Sequence, residues 1–298
     1  MRCRCIAACC ALLFAALHFF TTRRAAHTPD SSDAGAWLEA LVIGSVDRPQ
    51  HLAVTLTALR SAGVRAHGFT ERDVPLCVVC DDTHQWADAA LYDSFDSDLN
   101  VSVWSGKPRS WWCAQARPTA ALLSFSRWRT SPHGADRAVV KSAFVLVVDD
   151  DTYVNVPRLH ALLLPLVASA STEPLYLGFA GHQFRDLPSN RQPPFCYGGA
   201  GYVLNAAALR ILSTQLPACH ARKQGGRWCH YHSDWVIGQC LLSSPAHVAC
   251  DWRLGDDLFV QNVSVLPGGL AACVRERVTC HGGLSANDLR RAYKMHLD

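Results

Sequence analysis

The chain has 298 residues, 49% hydrophobic and 18% charged, which suits one large folded domain or two small ones and excludes a disordered, collagen-like or coiled-coil protein. Its 28 Lys and Arg against 25 Asp and Glu leave a net charge of only +3 and no long basic run, so no nucleic-acid partner is expected. Fourteen cysteines are many for a reducing compartment and point to a secretory one.

Arg2 and Arg4 precede an apolar run over residues 5–22 that only His18 interrupts, and Arg23 and Arg24 close it. At about 1.5 Å of rise per residue the run is near the lower limit for a membrane-spanning helix. A signal anchor is preferred to a cleaved signal peptide, because no small-x-small cleavage site precedes the Ala25-Ala26 region. Basic residues flank both ends, so charge alone does not orient it. Ten cysteines remain beyond the head (Cys77, Cys80, Cys113, Cys196, Cys219, Cys229, Cys240, Cys250, Cys273, Cys280), an even set that suits oxidised pairs. Asn100-Val-Ser102 and Asn262-Val-Ser264 are glycosylation sequons that agree with a lumenal side. The expected organisation is a cytosolic tail at 1–4, a transmembrane anchor at 5–22, a stem at 23–36 and a lumenal domain at 37–298, giving a single-pass type II protein of the Golgi membrane.

Within that domain, residues 41–43 read as a strand, 52–59 as a helix and 74–79 as a second strand. A helix over 122–128 is followed by Phe144-Val-Leu-Val-Val148, a run apolar on both faces of a strand. A further helix is expected over 159–167 despite Pro165, and another over 206–212. Strands alternating with helices predict an α/β fold with a mainly parallel sheet flanked by helices.

Chemistry gathers where strands end. Asp149-Asp150-Asp151 follows the buried run, at the carboxyl edge where open α/β sheets bind ligands. Three adjacent carboxylates repel one another, and a hard divalent cation, Mn²⁺ or Mg²⁺, relieves that repulsion and can hold a nucleotide diphosphate; a solvated acidic turn is the plain alternative. Gly198-Gly199-Ala200-Gly201 lacks the spacing of the dinucleotide and P-loop motifs, but small residues let backbone approach a bulky ligand. Asp234 opens an apolar helical stretch, where it can be an anion held for chemistry or an N-terminal cap. Cys77-x-x-Cys80 lies in the expected second strand, whose alternating side chains would face opposite ways, so separate partners are expected. Cys219-His220 with Cys229-His230-Tyr-His232 offers zinc-type ligands, with a disulfide loop bearing surface histidines preferred. Trp111-Trp112-Cys113 offers an aromatic surface for a sugar ring, or core packing.

At these residues the chain resembles the Fringe-like glycosyltransferases, a β1,3-transferase family. The matching pieces stand in the family's order: residues 144–155, Leu175-Tyr-Leu-Gly178, residues 196–204, and Ser233-Asp-Trp-Val-Ile-Gly-Gln-Cys-Leu241. The resemblance implies a GT-A nucleotide-sugar fold, a UDP-sugar donor (UDP-GlcNAc or UDP-Gal), Mn²⁺, a glycan or glycoprotein acceptor and inversion at the anomeric carbon. Carried over residue by residue, it sets Asp149 and Asp150 against the nucleotide, makes Asp151 a metal ligand and Asp234 the base, and suggests His281, in Thr279-Cys-His281-Gly-Gly-Leu, for the metal shell. Ser233 stands where relatives often carry a second acid, and residues 204–232 depart from the family. The rival reading is an inactive lumenal carbohydrate-binding or chaperone-like protein on the same fold.

Overall fold

The computed structural model describes residues 37–70, 115–130, 142–180, 195–225, 232–255 and 258–295. The head and stem, the expected strand at 74–79 with Cys77 and Cys80, the Asn100 sequon, the Trp111-Trp112-Cys113 segment and Cys229-His230 lie outside these residues. Among the described residues no helix is long and apolar enough to cross a membrane.

The chain builds β1 (Leu38–Ile43), α1 (Pro49–Ser61), β2 (Arg65–Phe69), α2 (Arg117–Thr130), β3 (Phe144–Asp149), β4 (Tyr153–Val154), α3 (Val156–Leu163) and β5 (Tyr176–Gly178). It continues with β6 (Tyr202–Asn205), α4 (Ala206–Gly225), α5 (Ser233–Leu242), β7 (Cys250–Asp251), β8 (Phe259–Val260), α6 (Gly269–Glu276), β9 (Thr279–Cys280) and α7 (Ala286–Met295). A six-stranded sheet has the order β2-β1-β3-β6-β5-β7, and a small three-stranded one the order β4-β9-β8. Five strands of the large sheet share one direction, and β6 alone runs against both its neighbours, so the sheet is mixed.

Alternation turns successive side chains of β1 and β3 to opposite faces of the sheet, and both strands are apolar except for the terminal Asp149 and for Glu39, which is buried and accepts from Ser142 Oγ at 2.8 Å. Leu41, Ile43, Val145 and Val147 enter a core with side chains of α2, α4 and α5. Ala40, Val42, Phe144, Leu146 and Val148 enter a second core with Leu59 of α1 and with Leu159 and Leu163 of α3. Both faces are covered, so neither can carry a polar residue without a partner. A third cluster, with Tyr153, Val260, Cys273, Cys280, Leu289 and Ala292, holds the small sheet against α6 and α7.

Two expectations change. Helix α3 ends at Leu163, and Pro165 sits in the first positions of a separate 3-10 turn, Leu164–Leu166, because proline lacks the N–H that a continuing helix would need. His220 is not on the surface: it is buried, and its Nδ1 lies 2.9 Å from Thr119 Oγ1. Its neighbour Cys219 is bonded to Cys240, tying α4 to α5, which removes that sulfur from any zinc site. Cys196 pairs with Cys250 and Cys273 with Cys280. The last bridge braces β9 immediately before His281.

Candidate functional site

Topology gathers the site at one edge of the sheet. Strand β3 delivers Asp149 at its carboxyl end, and the pairing of Val147 with Tyr202 brings the start of antiparallel β6 to the same edge. The turn Gly198-Gly199-Ala200-Gly201, which leads into β6, therefore lies beside the aspartates. Pairing of Tyr153 with Cys280 likewise carries His281 back to Asp151 from a distant part of the sequence.

The three aspartates divide their work. Asp149, Asp151 and His281 each offer a ligand atom, and these atoms lie within 4.8 Å of one another. Asp150 turns the other way: fully buried, it accepts from Ser45 N at 3.2 Å, and Arg48 Nη2 stands 2.9 Å from its Oδ1. Arg48 also donates from Nη1 to Asp151 Oδ2 at 2.9 Å. Asp149, which the family resemblance sets against the nucleotide, thus stands with the two expected metal residues, whereas Asp150 faces the β1–α1 loop.

The donor set fits a divalent cation. Two carboxylate oxygens and an imidazole nitrogen are hard-to-borderline ligands. His281 Nδ1 lies 2.7 Å from Gln261 O, and because a carbonyl only accepts, Nδ1 carries a proton; Nε2, which faces Asp151, is the nitrogen that would bind a cation once its own proton is displaced. Asp151 Oδ1, 3.4 Å from that Nε2, is buried and makes no hydrogen bond among the described residues. A cation would give both atoms a partner.

Electrostatics without a cation are strained in the expected sense. Burial, and then the neighbouring Asp151 charge, push Asp149 up to about 6. Burial works against Asp151 too, but His281 and Arg48 outweigh it and bring its carboxyl down to about 2. Burial disfavours the charged imidazole of His281, yet Asp151 and Asp149 overcome this and raise it to about 9. The raised His281 stabilises the metal-free fold fully below its unfolded pKa, and that contribution is lost as pH rises through about 9.

The same shifts govern cation binding, because the ion must displace the His281 proton. Between pH of about 6 and about 9, Mg²⁺ or Mn²⁺ should release close to one proton and bind about tenfold more tightly per pH unit. Below about 6 a proton on Asp149 steepens the dependence. Calorimetry in buffers of differing ionisation heat counts that proton; affinity unchanged between pH of about 6.5 and 8.5 would contradict the ligand set.

The glycine turn serves the protein's own side chains. Gly198 N donates to Asp234 Oδ2 at 2.9 Å. A Cβ on Gly199 would stand 2.7 Å from His281 Cε1, and one on Gly201, whose φ is +81°, only 2.6 Å from Val148 Cγ1. Ala200 N donates to Gln261 Oε1 at 2.7 Å, and Thr152 Oγ1 donates to Gly199 O at 2.9 Å. Consecutive residues of one turn therefore touch Asp234 on one side and His281 on the other.

Asp234 is not the cap of α5. His232 holds that position without a side-chain cap bond, and Asp234 is the second helical residue, with Oδ1 accepting from Trp235 N at 2.8 Å. Each carboxylate oxygen takes one backbone N–H and keeps a lone pair, which fixes the group's orientation and leaves it able to accept a proton. Ser233 beside it is buried and brings no second acid. Sequence reasoning missed Arg48 and Gln261: an arginine in a loop and a glutamine after a two-residue strand carry no local signal of what they reach.

The Fringe-like family model matches residues 93–248, which include the aspartates, the glycine turn and Asp234 but not His281. Over 98 residues, 33% of this chain, the sequence is 35% identical to human chondroitin sulfate glucuronyltransferase, and the match spans 11% of that protein's length. Among solved structures, a glycosyltransferase involved in the glycosylation of the major capsid of PBCV-1 superposes with a TM-score of 0.45 at 9% identity, covering 88% of this chain and all of that one. The family model by itself takes in more than half of the 298 residues, and on that extent the chain belongs to the Fringe-like family.

Proposed function

We propose that the chain is an inverting, Mn²⁺-dependent glycosyltransferase with a GT-A fold, transferring GlcNAc or Gal from a UDP-sugar in β1,3 linkage to a glycan on a glycoprotein. The observation that carries this reading is the convergence, at one sheet edge, of a three-ligand cation group and an oriented carboxylate, joined through one glycine turn. Family membership supports it.

Asp149, Asp151 and His281 would hold the ion, which when bound supplies Lewis-acid neutralisation of charge on a diphosphate leaving group. Asp150 keeps Arg48 in place beside Asp151. Asp234 accepts the proton of the acceptor hydroxyl as it attacks the anomeric carbon; a single displacement needs one base and inverts the centre. The glycine turn orients the Asp234 carboxylate and leaves room for His281 against its backbone.

The likeness to a glucuronyltransferase adds UDP-glucuronate to the donors worth testing. UDP release by the full-length chain, measured with UDP-GlcNAc, UDP-Gal and UDP-glucuronate across fucose-, GalNAc- and galactose-terminated acceptors, is expected to single out one of the first two donors. Release with UDP-glucuronate alone would move the donor assignment. Free sugar as the product would make the chain a hydrolase, and donor or glycan binding with no turnover would favour the carbohydrate-binding reading.

The same reading makes residues 5–22 a type II anchor that holds the site in the Golgi lumen. Asn262 is exposed, with Oδ1 accepting from Ser264 N at 3.0 Å and from Ser264 Oγ at 2.7 Å, so an N-glycan on Nδ2 breaks neither bond. An endoglycosidase-sensitive mass shift, reduced by Asn262→Gln, is expected. Digestion of the C-terminal end by protease in sealed microsomes would reverse the orientation.

A further inference from the structure

We infer that Gln261 is a positioning residue that couples the Asp149, Asp151 and His281 group to the Asp234 carboxylate; this rests on the transferase reading of that site. Gln261 follows β8 and uses both of its acceptors. Its main-chain carbonyl receives the His281 Nδ1 proton at 2.7 Å, and its side-chain Oε1 receives Ala200 N–H at 2.7 Å. Ala200 shares a turn with Gly198, whose N–H is held by Asp234 Oδ2 at 2.9 Å. Three hydrogen bonds and one short turn thus lead from the imidazole to the carboxylate.

The path has little slack. A Cβ on Gly199 would meet His281 Cε1 at 2.7 Å and Gln261 Nε2 at 3.0 Å, so the turn packs against both the imidazole and the amide. On the opposite side Thr279 Oγ1 donates to Ala200 O at 2.5 Å, and Gly201 is wedged against Val148. Packed groups of this kind move together or not at all. Exchange of the His281 Nε2 proton for a metal ion would change the charge on the ring and with it the strength of the Nδ1–H bond to Gln261 O, and through Oε1 that change would reach the turn that orients Asp234. Gln261 touches neither donor nor acceptor in this scheme and acts through its neighbours.

The test uses the full-length chain labelled with ¹⁵N-glycine and titrated with diamagnetic Mg²⁺. In the native protein the Gly198 and Gly199 amide signals should both shift on saturation. Gln261→Met keeps the carbonyl and the side-chain length but loses Oε1: Mg²⁺ affinity should stay within about threefold, while the Gly198 shift falls by at least about half. With the assayed donor, and well below the variant's melting temperature so that loss of folded enzyme does not enter, kcat should fall by about tenfold or more with KM changed by less than about threefold. Gln261→Glu restores an acceptor for Ala200 N–H and should recover both the shift and kcat to within about threefold. Gln261→Asn, one methylene shorter, should behave as the Met variant does and serves if that variant does not fold. An undiminished Gly198 shift in the Met or Asn variant overturns the coupling, as does a Glu variant no better than either. Failure of the transferase reading is separately visible: the native chain then turns over no donor, whatever the glycine signals do.

Discussion

Asp151→Asn is expected to abolish measurable Mn²⁺-dependent UDP-sugar binding, weakening the cation by at least about 100-fold, while the fold survives. Asp151 is the member of the group that faces both His281 and Arg48, at 3.4 and 2.9 Å, and its carboxyl is the one held down to about 2. The amide removes a charged ligand. Stability should change by only about 1 kcal/mol, because loss of the pairing with Arg48 and His281 is offset by relief of the repulsion between Asp151 and Asp149. An independent sign is the titration of His281, which should fall from about 9 once Asp151 no longer supports the imidazolium. Calorimetry with UDP and Mn²⁺ beside a histidine NMR titration measures both; metal-dependent binding at native strength would remove Asp151 from the ligand set.

Asp234→Asn should reduce kcat by about 10²- to 10⁴-fold with donor affinity nearly unchanged. The substitution also has a structural signature. Native Asp234 accepts two N–H groups, from Gly198 at 2.9 Å and Trp235 at 2.8 Å, one on each oxygen. Asparagine has one acceptor oxygen and sets its amide hydrogens against the other N–H, so a stability loss of about 1–3 kcal/mol is expected. Assay well below the melting temperature keeps that loss out of kcat. A variant with kcat within a few-fold of native would leave Asp234 as a brace for the glycine turn and return the search to His232, half-buried at the cap of α5.

The legible parts of this fold are those whose signal is local. The apolar runs at β1 and β3, buried on both faces, and the helical spacing of α1 are visible in the sequence because burial and periodicity act over a few residues. The direction of β6 is not, since nothing in Tyr202-Val-Leu-Asn205 distinguishes a reversed strand from a parallel one. Strand β2, Arg-Ala-His-Gly-Phe, hides because only Ala66 is fully buried; among the described residues it lies at the end of the strand order and pairs with β1 alone. The helix α4 runs through Pro217 to Gly225, well beyond the stretch that periodicity marks, with its apolar residues held by the core and by the Cys219–Cys240 bridge.

The site was legible in the same uneven way. The acidic triplet announces itself, but which carboxylate faces which way depends on the turn after β3: Asp150 N continues the sheet by donating to Ile43 O at 2.9 Å, which sends its side chain toward Ser45 and Arg48 and leaves Asp149 and Asp151 with His281. His281 comes into reach only through a two-residue strand pairing, too short to show in composition. The glycines were expected to admit a ligand; at Gly199 and Gly201 the close approach is to His281 and Val148.

The most direct test of the central claim is product analysis after incubating the full-length chain with an α-linked UDP-sugar and a glycan acceptor, with and without Mn²⁺. Asp149, Asp151, His281 and Asp234 as assigned predict UDP in equal amount to a new β-linked glycan, formed only with the divalent ion and lost in Asp151→Asn. Transfer that persists in a chelator, or a product that retains the α configuration, would contradict a metal-assisted single displacement at this sheet edge.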